Sequence, residues 1–493
     1  MGGNSRRGRR VASVVFAVLL LAGTAGVANA ATTDPAVAYQ GDAAHDGVMV
    51  GDPLAGPLAM RWRIALPGPV SYPVVAGGRV FVTAVASPGA GYGTRLYALS
   101  AATGASVWGP IDLGGTYYWS ALAYDAGRVY AVNYNGLLRA FDAATGAALW
   151  TQQLPGQYSF SSAPTAVGGR VYVGGAGSGG TLYAVDGATG TVQWTAAVAN
   201  GDDSSPAVTA TSVFVSYACN QAYAFSVATG ALQWHHTSSC SGGGGKTVAY
   251  SDGRVYTRDF NGNLVLDATT GATMASYSAT AIPALDGTTG WFLNGNVLSA
   301  TDLASGTVRW TFTGDGSLVT APVVANGQVV IGSSTGLLYL LDAATGAVRS
   351  SVGIGGPMAG PDEQNVSQPL TGLAVSDGVV YVPSGSSLVA MATKPDFSVA
   401  SSPSSLVVKK NASTTISIAS QGGLSGTAVL SVSGTPVGMT AKVSPSSTTL
   451  PAGGNVTATL TVSAKPNAQS GTITVTACIG TLCHATTVVV SPH

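Results

Sequence analysis

Charge is the scarcest property of this chain: Asp, Glu, Lys and Arg make up only 9% of 493 residues. Between Ala31 and Thr393 there is a single lysine, Lys246, and the only glutamate anywhere is Glu363. A nucleic-acid surface needs clustered Lys and Arg to neutralise phosphates, so that class of partner is excluded. Beyond residue 35 no stretch keeps a 3.6-residue apolar period, so almost no helix is expected. No second apolar segment approaches membrane-spanning length. No cysteine precedes Cys219, so there is no lipobox cysteine to acylate. Adjacent cysteines, CxxCH, HExxH and Cys₂His₂ spacings are missing, as is a GxSxG with a plausible partner. His235 and His236 are neighbours on a strand pattern and point to opposite faces, which makes them a poor bidentate metal site.

The N-terminus carries what the rest lacks. Arg6, Arg7, Arg9 and Arg10 precede the apolar run VASVVFAVLLLAGTAGV and the small-x-small site Ala28-Asn29-Ala30. That is the layout of a cleaved export signal over 1–30, by the Sec or the twin-arginine route. A mature chain outside the cytoplasm is expected, extracellular or at the cell surface, with no membrane span once the signal is removed. Without the signal arginines, 17 basic side chains face 21 acidic ones, a net of about −4. Four cysteines in an exported chain predict two disulfides, Cys219–Cys240 and Cys478–Cys483. The second pair flanks the turn IGTL and can face across a hairpin.

Glycine is abundant, 67 residues, alongside many Val, Thr, Ser and Tyr, which suits short strands and tight turns. A ten-residue unit recurs: LSAATGASVW, FDAATGAALW, VDGATGTVQW, FSVATGALQW, TDLASGTVRW and LDAATGAVRS. The Thr/Ser-Gly pairs fall at Gly104, Gly146, Gly190, Gly230, Gly271, Gly306 and Gly346, spaced 42, 44, 40, 41, 35 and 40 residues apart. A period near 40 with strand-like content predicts propeller blades. Trp62, Trp108, Trp150, Trp194, Trp234 and Trp310 follow the blade pattern on outer strands, where large flat rings can wedge neighbouring blades. Seven full units end near 352, and an eighth set, 370–392, lacks its outer strand. The unmatched MRWRIALPG, 60–68, supplies it and closes the ring.

These tandem units resemble the quinoprotein-type, or PQQ-like, eight-bladed propeller family, and YQGDAAHDGVMVGD, 39–52, is similar to that family's start. The resemblance covers roughly 39–392. It implies the fold, and it leaves function open among quinone-cofactor dehydrogenases, an outer-membrane assembly lipoprotein that binds partners, and kinase sensor domains. The expected organisation is a signal over 1–30, a lead-in over 31–59, a propeller over 60–393 and an Ig-like sandwich over 394–493. The last segment alternates apolar and polar residues at period two, which predicts seven strands and resembles modules appended to bacterial secreted proteins.

Function concentrates in loops on a rigid scaffold, and three clusters stand out. Tyr117, Tyr118, Trp119, Tyr158 and Phe160, with Asp202 and Asp203, can wall a funnel for a sugar ring or a flat cofactor, or be ordinary packing. Arg258, Asp259 and Asn261, with Lys246, are a binding cluster or a solvated ion pair. The loop 353–369, with Asp362, Glu363 and Asn365, can cap the mouth or offer oxygen ligands to Ca²⁺. The quinone dehydrogenases of the resembled family imply PQQ with Ca²⁺ and a catalytic Asp, and no such Asp aligns here. No cofactor is therefore expected. The all-β chain reads as a monomeric, non-catalytic propeller binding a protein or glycan through one face of the ring. The alternatives are a carbohydrate-active enzyme using Asp202 or Asp203, or a PQQ-dependent dehydrogenase.

Overall fold

The computed structural model describes residues 1–2, 36–86, 91–199, 204–238 and 245–493. The expected export signal over 1–30 lies outside them, but for its first two residues. Every regular element among the described residues is a β-strand, and no described helix is long and apolar enough to cross a membrane.

Eight sheets repeat one plan of four strands; their inner strands begin, in chain order, at Val74, Ser120, Thr165, Ala207, Ala249, Ala284, Val323 and Ala374. The third shows how sequence builds it. Thr165–Val167 turns at Gly168-Gly169 into Arg170–Ala176, then Gly180–Asp186, then the outer Val192–Val198, each pair antiparallel. Period-two alternation is lost on the two middle strands, which are buried almost throughout because neighbouring sheets cover both faces. At the last turn Asp186 Oδ1 accepts from the amides of Ala188 and Thr189 and from the Thr189 hydroxyl, at 2.8–3.0 Å. That pins the DxATG turn by the side chain of its own first residue.

A register shift then falls just before the tryptophan, since Val192 pairs with Val185 and Trp194 with Ala184. The bulge re-aims the ring toward the next sheet. Trp194 Nε1 donates to the Val227 carbonyl of that sheet at 3.2 Å. The outer strand of the eighth sheet is the N-terminal Leu58–Ala65, antiparallel to Ser387–Thr393, as its unmatched Trp62 predicts.

The lead-in does more than precede that strand. Its carbonyls accept from the inner strands in turn: Ala36 from Val75, Val37 from Tyr124, Ala43 from Val208, Ala44 from Tyr250, Asp46 from Leu285 and Gly47 from Val324, at 2.7–2.9 Å. His45 Nε2 meets Thr165 Oγ1 of the third sheet at 2.8 Å, and Asp52 accepts from Gly378 N of the eighth. Every sheet is therefore tied to one peptide on the side of the ring where first and second strands turn. Val48–Met49 also adds a short parallel strand to Val323–Ala325.

After Thr393 two further sheets pack face to face around their own core of Ile416, Ile418, Leu460, Ile473, Val475 and Val488. They hold nine strands rather than seven. Two of the predicted strands break at proline, which has no N–H to continue a ladder, and each half joins a different sheet. Asp396–Ser402 pairs with Asn411–Gln421, and past Pro403 Ser405–Val408 pairs with Leu482–Pro492. Met439–Ser444 and Ser447–Leu450 divide likewise around Pro445. Cys478 and Cys483 are directly opposed and disulfide-bonded. Cys219 is also disulfide-bonded, and Cys240 lies outside the described residues.

Candidate functional site

The second mouth of the ring is built from connections between sheets and from turns between second and third strands. Tyrosines crowd its rim over the first three sheets. Tyr117 and Tyr118 come from the connection between the first and second sheets, and Tyr92 from the turn after Arg79–Val85. The Tyr92 ring lies 5.9 Å from that of Tyr117 and 5.1 Å from that of Tyr118. Tyr117 meets Tyr134 edge-on at 4.5 Å. Tyr92 is 63% exposed, Tyr117 39% and Tyr158 67%. The Tyr158 ring lies against Gly177, whose carbonyl accepts from its hydroxyl at 2.6 Å. Phe260 is 76% exposed on the fifth sheet's rim, with the Lys246 ammonium 5.5 Å from its ring centroid. Tyr92, Tyr117, Tyr118 and Tyr134 hold one another, Tyr158 is held by Gly177, and exposed rings remain among them, the arrangement of an aromatic contact surface.

Two aromatics expected at this mouth are core residues. Trp119 is fully buried in the main cluster, and Phe160 is buried where Gly136 and Gly175 leave room for its ring. Their alternation with Tyr118 and Tyr158 put them beside the rim in sequence, but successive residues of an extended chain face opposite ways. Asp202 and Asp203 lie outside the described residues. Tyr92 and Tyr134 belong to the surface and were not singled out in the sequence; their signal was a tyrosine within a glycine- or asparagine-rich turn.

The expected Arg258–Asp259 cluster is divided. Asp259 turns back to accept from the amides of Cys219 and Asn261 at 3.0 and 2.9 Å. Arg258 is buried and pairs with Glu363 instead. Glu363 arrives from the loop between the seventh and eighth sheets and also accepts from Thr247 N, at 2.5 Å. Burial alone would raise the Glu363 pKa, but the guanidinium and the Thr247 N–H hold it below the ordinary carboxylate value. Burial likewise opposes the Arg258 charge, and Glu363 more than restores it. The Tyr39 hydroxyl, buried in the same electrostatic environment, finds no hydrogen-bond partner among the described residues. So the glutamate of the loop 353–369 is fastened inside the protein to the fifth sheet's Arg258 and to Thr247 N.

That geometry bears on a quinone held with Ca²⁺ on the ring axis. Glu363 crosses from the seventh–eighth connection to the fifth sheet, and its carboxylate is already engaged by Arg258 and Thr247 N. Among the described residues no three His, Cys, Asp or Glu side chains gather as metal ligands. His235 and His236 diverge as expected, toward Gln221 Oε1 at 2.6 Å and the Gly271 carbonyl at 3.2 Å.

A family model described as outer membrane protein assembly factor BamB matches residues 58–117, 93–289 and 278–396. Among solved structures, BamB from Moraxella catarrhalis is similar at 19% identity and TM-score 0.53, covering 68% of this chain and 100% of that one. Quinohemoprotein alcohol dehydrogenase from Comamonas testosteroni is similar at 15% identity and TM-score 0.59, covering 74% and 82%. A europium-containing methanol dehydrogenase is similar at 14% identity and TM-score 0.54, covering 72% and 98%. At these identities the likeness is one of fold. No curated protein is similar enough in sequence to serve as a relative.

Proposed function

Since the chain belongs to the PQQ-like propeller family whose model is described as outer membrane protein assembly factor BamB, we propose that it is an exported, non-catalytic propeller that binds a protein partner through its tyrosine-rimmed mouth. The observation that carries this reading is the contrast within that mouth. Tyr92, Tyr117 and Tyr158 are presented outward, while Arg258 and Glu363 are buried and paired with each other. Large, rigid, amphipathic rings give contact area at low entropic cost, which is why tyrosine anchors interfaces. The sandwich acts as a spacer or wall anchor. Export rests on the N-terminal Arg-rich and apolar segment.

A second reading is a glycan partner, favoured by the same exposed rings, since sugar faces stack on tyrosine. A carbohydrate-active enzyme using Asp202 or Asp203 remains the catalytic alternative, and requires a second carboxylate across the pocket.

The test compares the mature chain with the triple variant Tyr92→Ala/Tyr117→Ala/Tyr158→Ala. Both are challenged with envelope proteins by pull-down and with a panel of neutral oligosaccharides by calorimetry. A ligand whose affinity falls at least tenfold in the variant supports the reading and says which partner class applies. A ligand that binds both equally would remove the tyrosine rim from consideration. A visible absorbance change on adding PQQ with Ca²⁺ would replace the reading with a dehydrogenase.

A further inference from the structure

Six interfaces between adjacent sheets are closed by an indole in the same way. Trp62, Trp108, Trp150, Trp194, Trp234 and Trp310 each donate Nε1–H to a carbonyl of the following sheet, at 2.9–3.2 Å. Each ring lies on the glycine of the following Thr-Gly turn. A Cβ placed on Gly104, Gly146, Gly190, Gly230, Gly271 or Gly346 would fall 2.5–2.8 Å from the indole.

Two interfaces lack the tryptophan, and ladder register identifies what stands there. On the fifth sheet the same bulge places Ala275 opposite Val265, and on the seventh it places Ser350 opposite Leu340. The seventh–eighth slot is closed by the chain itself: Leu58 N donates to Ser350 Oγ at 3.1 Å, and Gly56 packs on Leu340. The fifth–sixth slot is not closed. A Cβ on Gly306 would meet nothing within 4 Å. A groove of about 490 Å³ opens there, with Ala275, Leu303 and Gly306 in the positions of indole, carbonyl and glycine, and Tyr277, Phe292 and Met274 around them. Tyr277 and Phe292, with ring centroids 5.3 Å apart, tilt toward each other at its side without covering Gly306.

We propose that this groove is a binding site for a small indole-type ligand: a flat, mainly apolar bicyclic ring with one N–H donor. The ring would lie on Gly306 and its N–H would bond to the Leu303 carbonyl, as the chain's own indoles do in six equivalent places. Aromatic walls reward a flat apolar ring, and a carbonyl at the floor selects one that carries a donor. This site is on the outer flank of the ring and is independent of the tyrosine mouth.

The probe is indole itself, added to the full mature chain labelled at its methionine methyl groups. Met274 lines the groove, so its methyl resonance reports occupancy directly. Binding should shift that resonance saturably and raise the unfolding midpoint by mass action. 1-Methylindole, which lacks the donor, should bind several-fold more weakly. Ala275→Trp should raise the midpoint without ligand and weaken indole binding at least tenfold. Absence of a saturable Met274 shift at millimolar indole overturns the proposal, as does unchanged binding in Ala275→Trp. Equal binding of 1-methylindole overturns the carbonyl contact. Should Ala275→Trp not fold, the Met274 titration of the unsubstituted chain decides alone.

Discussion

Five of the seven turn glycines are followed four residues later by a tryptophan, and that ring constrains the glycine in its path one sheet on. Gly190 illustrates two demands on one residue. Its φ of 78° is left-handed, and a Cβ there would stand 2.7 Å from the Trp150 ring. The backbone demand costs about 1 kcal/mol for a residue other than glycine, and the clash adds to it. The two separate in a double-mutant cycle. Trp150→Ala should cost about 3–5 kcal/mol, the range for emptying an aromatic site. Gly190→Ala should cost clearly more in the native background than in Trp150→Ala, where only the backbone part remains. Denaturant unfolding of the four proteins gives the coupling. Equal costs in both backgrounds would mean the indole moves aside freely. The glycine's turn role is readable from sequence, but its packing role is not, because its neighbour lies some forty positions earlier in the chain.

At the scale of elements, strands and turns were legible because each carries its own local signal: period two, Gly-Gly, Asp-x-x-Thr-Gly. The sandwich strands were legible too, but not their division at Pro403 and Pro445, since sequence does not tell a strand that ends at proline from one that changes sheets there. Loops were the least legible. Glu363 stood out as the only glutamate, yet its partner lies about a hundred residues away on the fifth sheet. A buried pair of this kind makes a sharp prediction. Glu363→Gln leaves Arg258 charged, buried and unpaired, and should destabilise by about 3–5 kcal/mol. Amide exchange across 356–369 should accelerate while the sandwich stays protected. Removing both partners, Arg258→Met with Glu363→Gln, should recover much of the loss. Unchanged exchange in the single variant would show that the loop is held by its other contacts, such as Met358 beneath Gly332.

For the whole molecule, the ring is closed twice, by the Leu58–Ala65 strand and by the lead-in that bonds to every sheet. Titration tests that second closure, because two neighbouring groups in the lead-in respond oppositely to acid. Burial lowers the His45 pKa from its ordinary value, more than the Tyr39 carbonyl, Asp42, the Pro206 carbonyl and Glu363 restore it. In the unfolded chain it titrates near 6.5, so acidification below about 6.5 protonates the unfolded state first and lowers stability. Asp46 is pushed up to about 7, by burial first and then by Asp42 and Asp286 against the opposing Val48 amide. Between about 7 and its unfolded value near 3.9 the folded state binds the extra proton, so acidification raises stability. Wild type should therefore change little between pH 7 and 5, as the two slopes oppose. Asp46→Asn, which mimics the protonated acid, should gain most over wild type above pH 7, and the advantage should fade toward pH 4. His45→Gln should gain on wild type as pH falls through 6. Unfolding midpoints from pH 8 to 4 for the three proteins check both signs. Parallel curves would mean that neither group is enclosed by the ring, and that the lead-in does not fasten it.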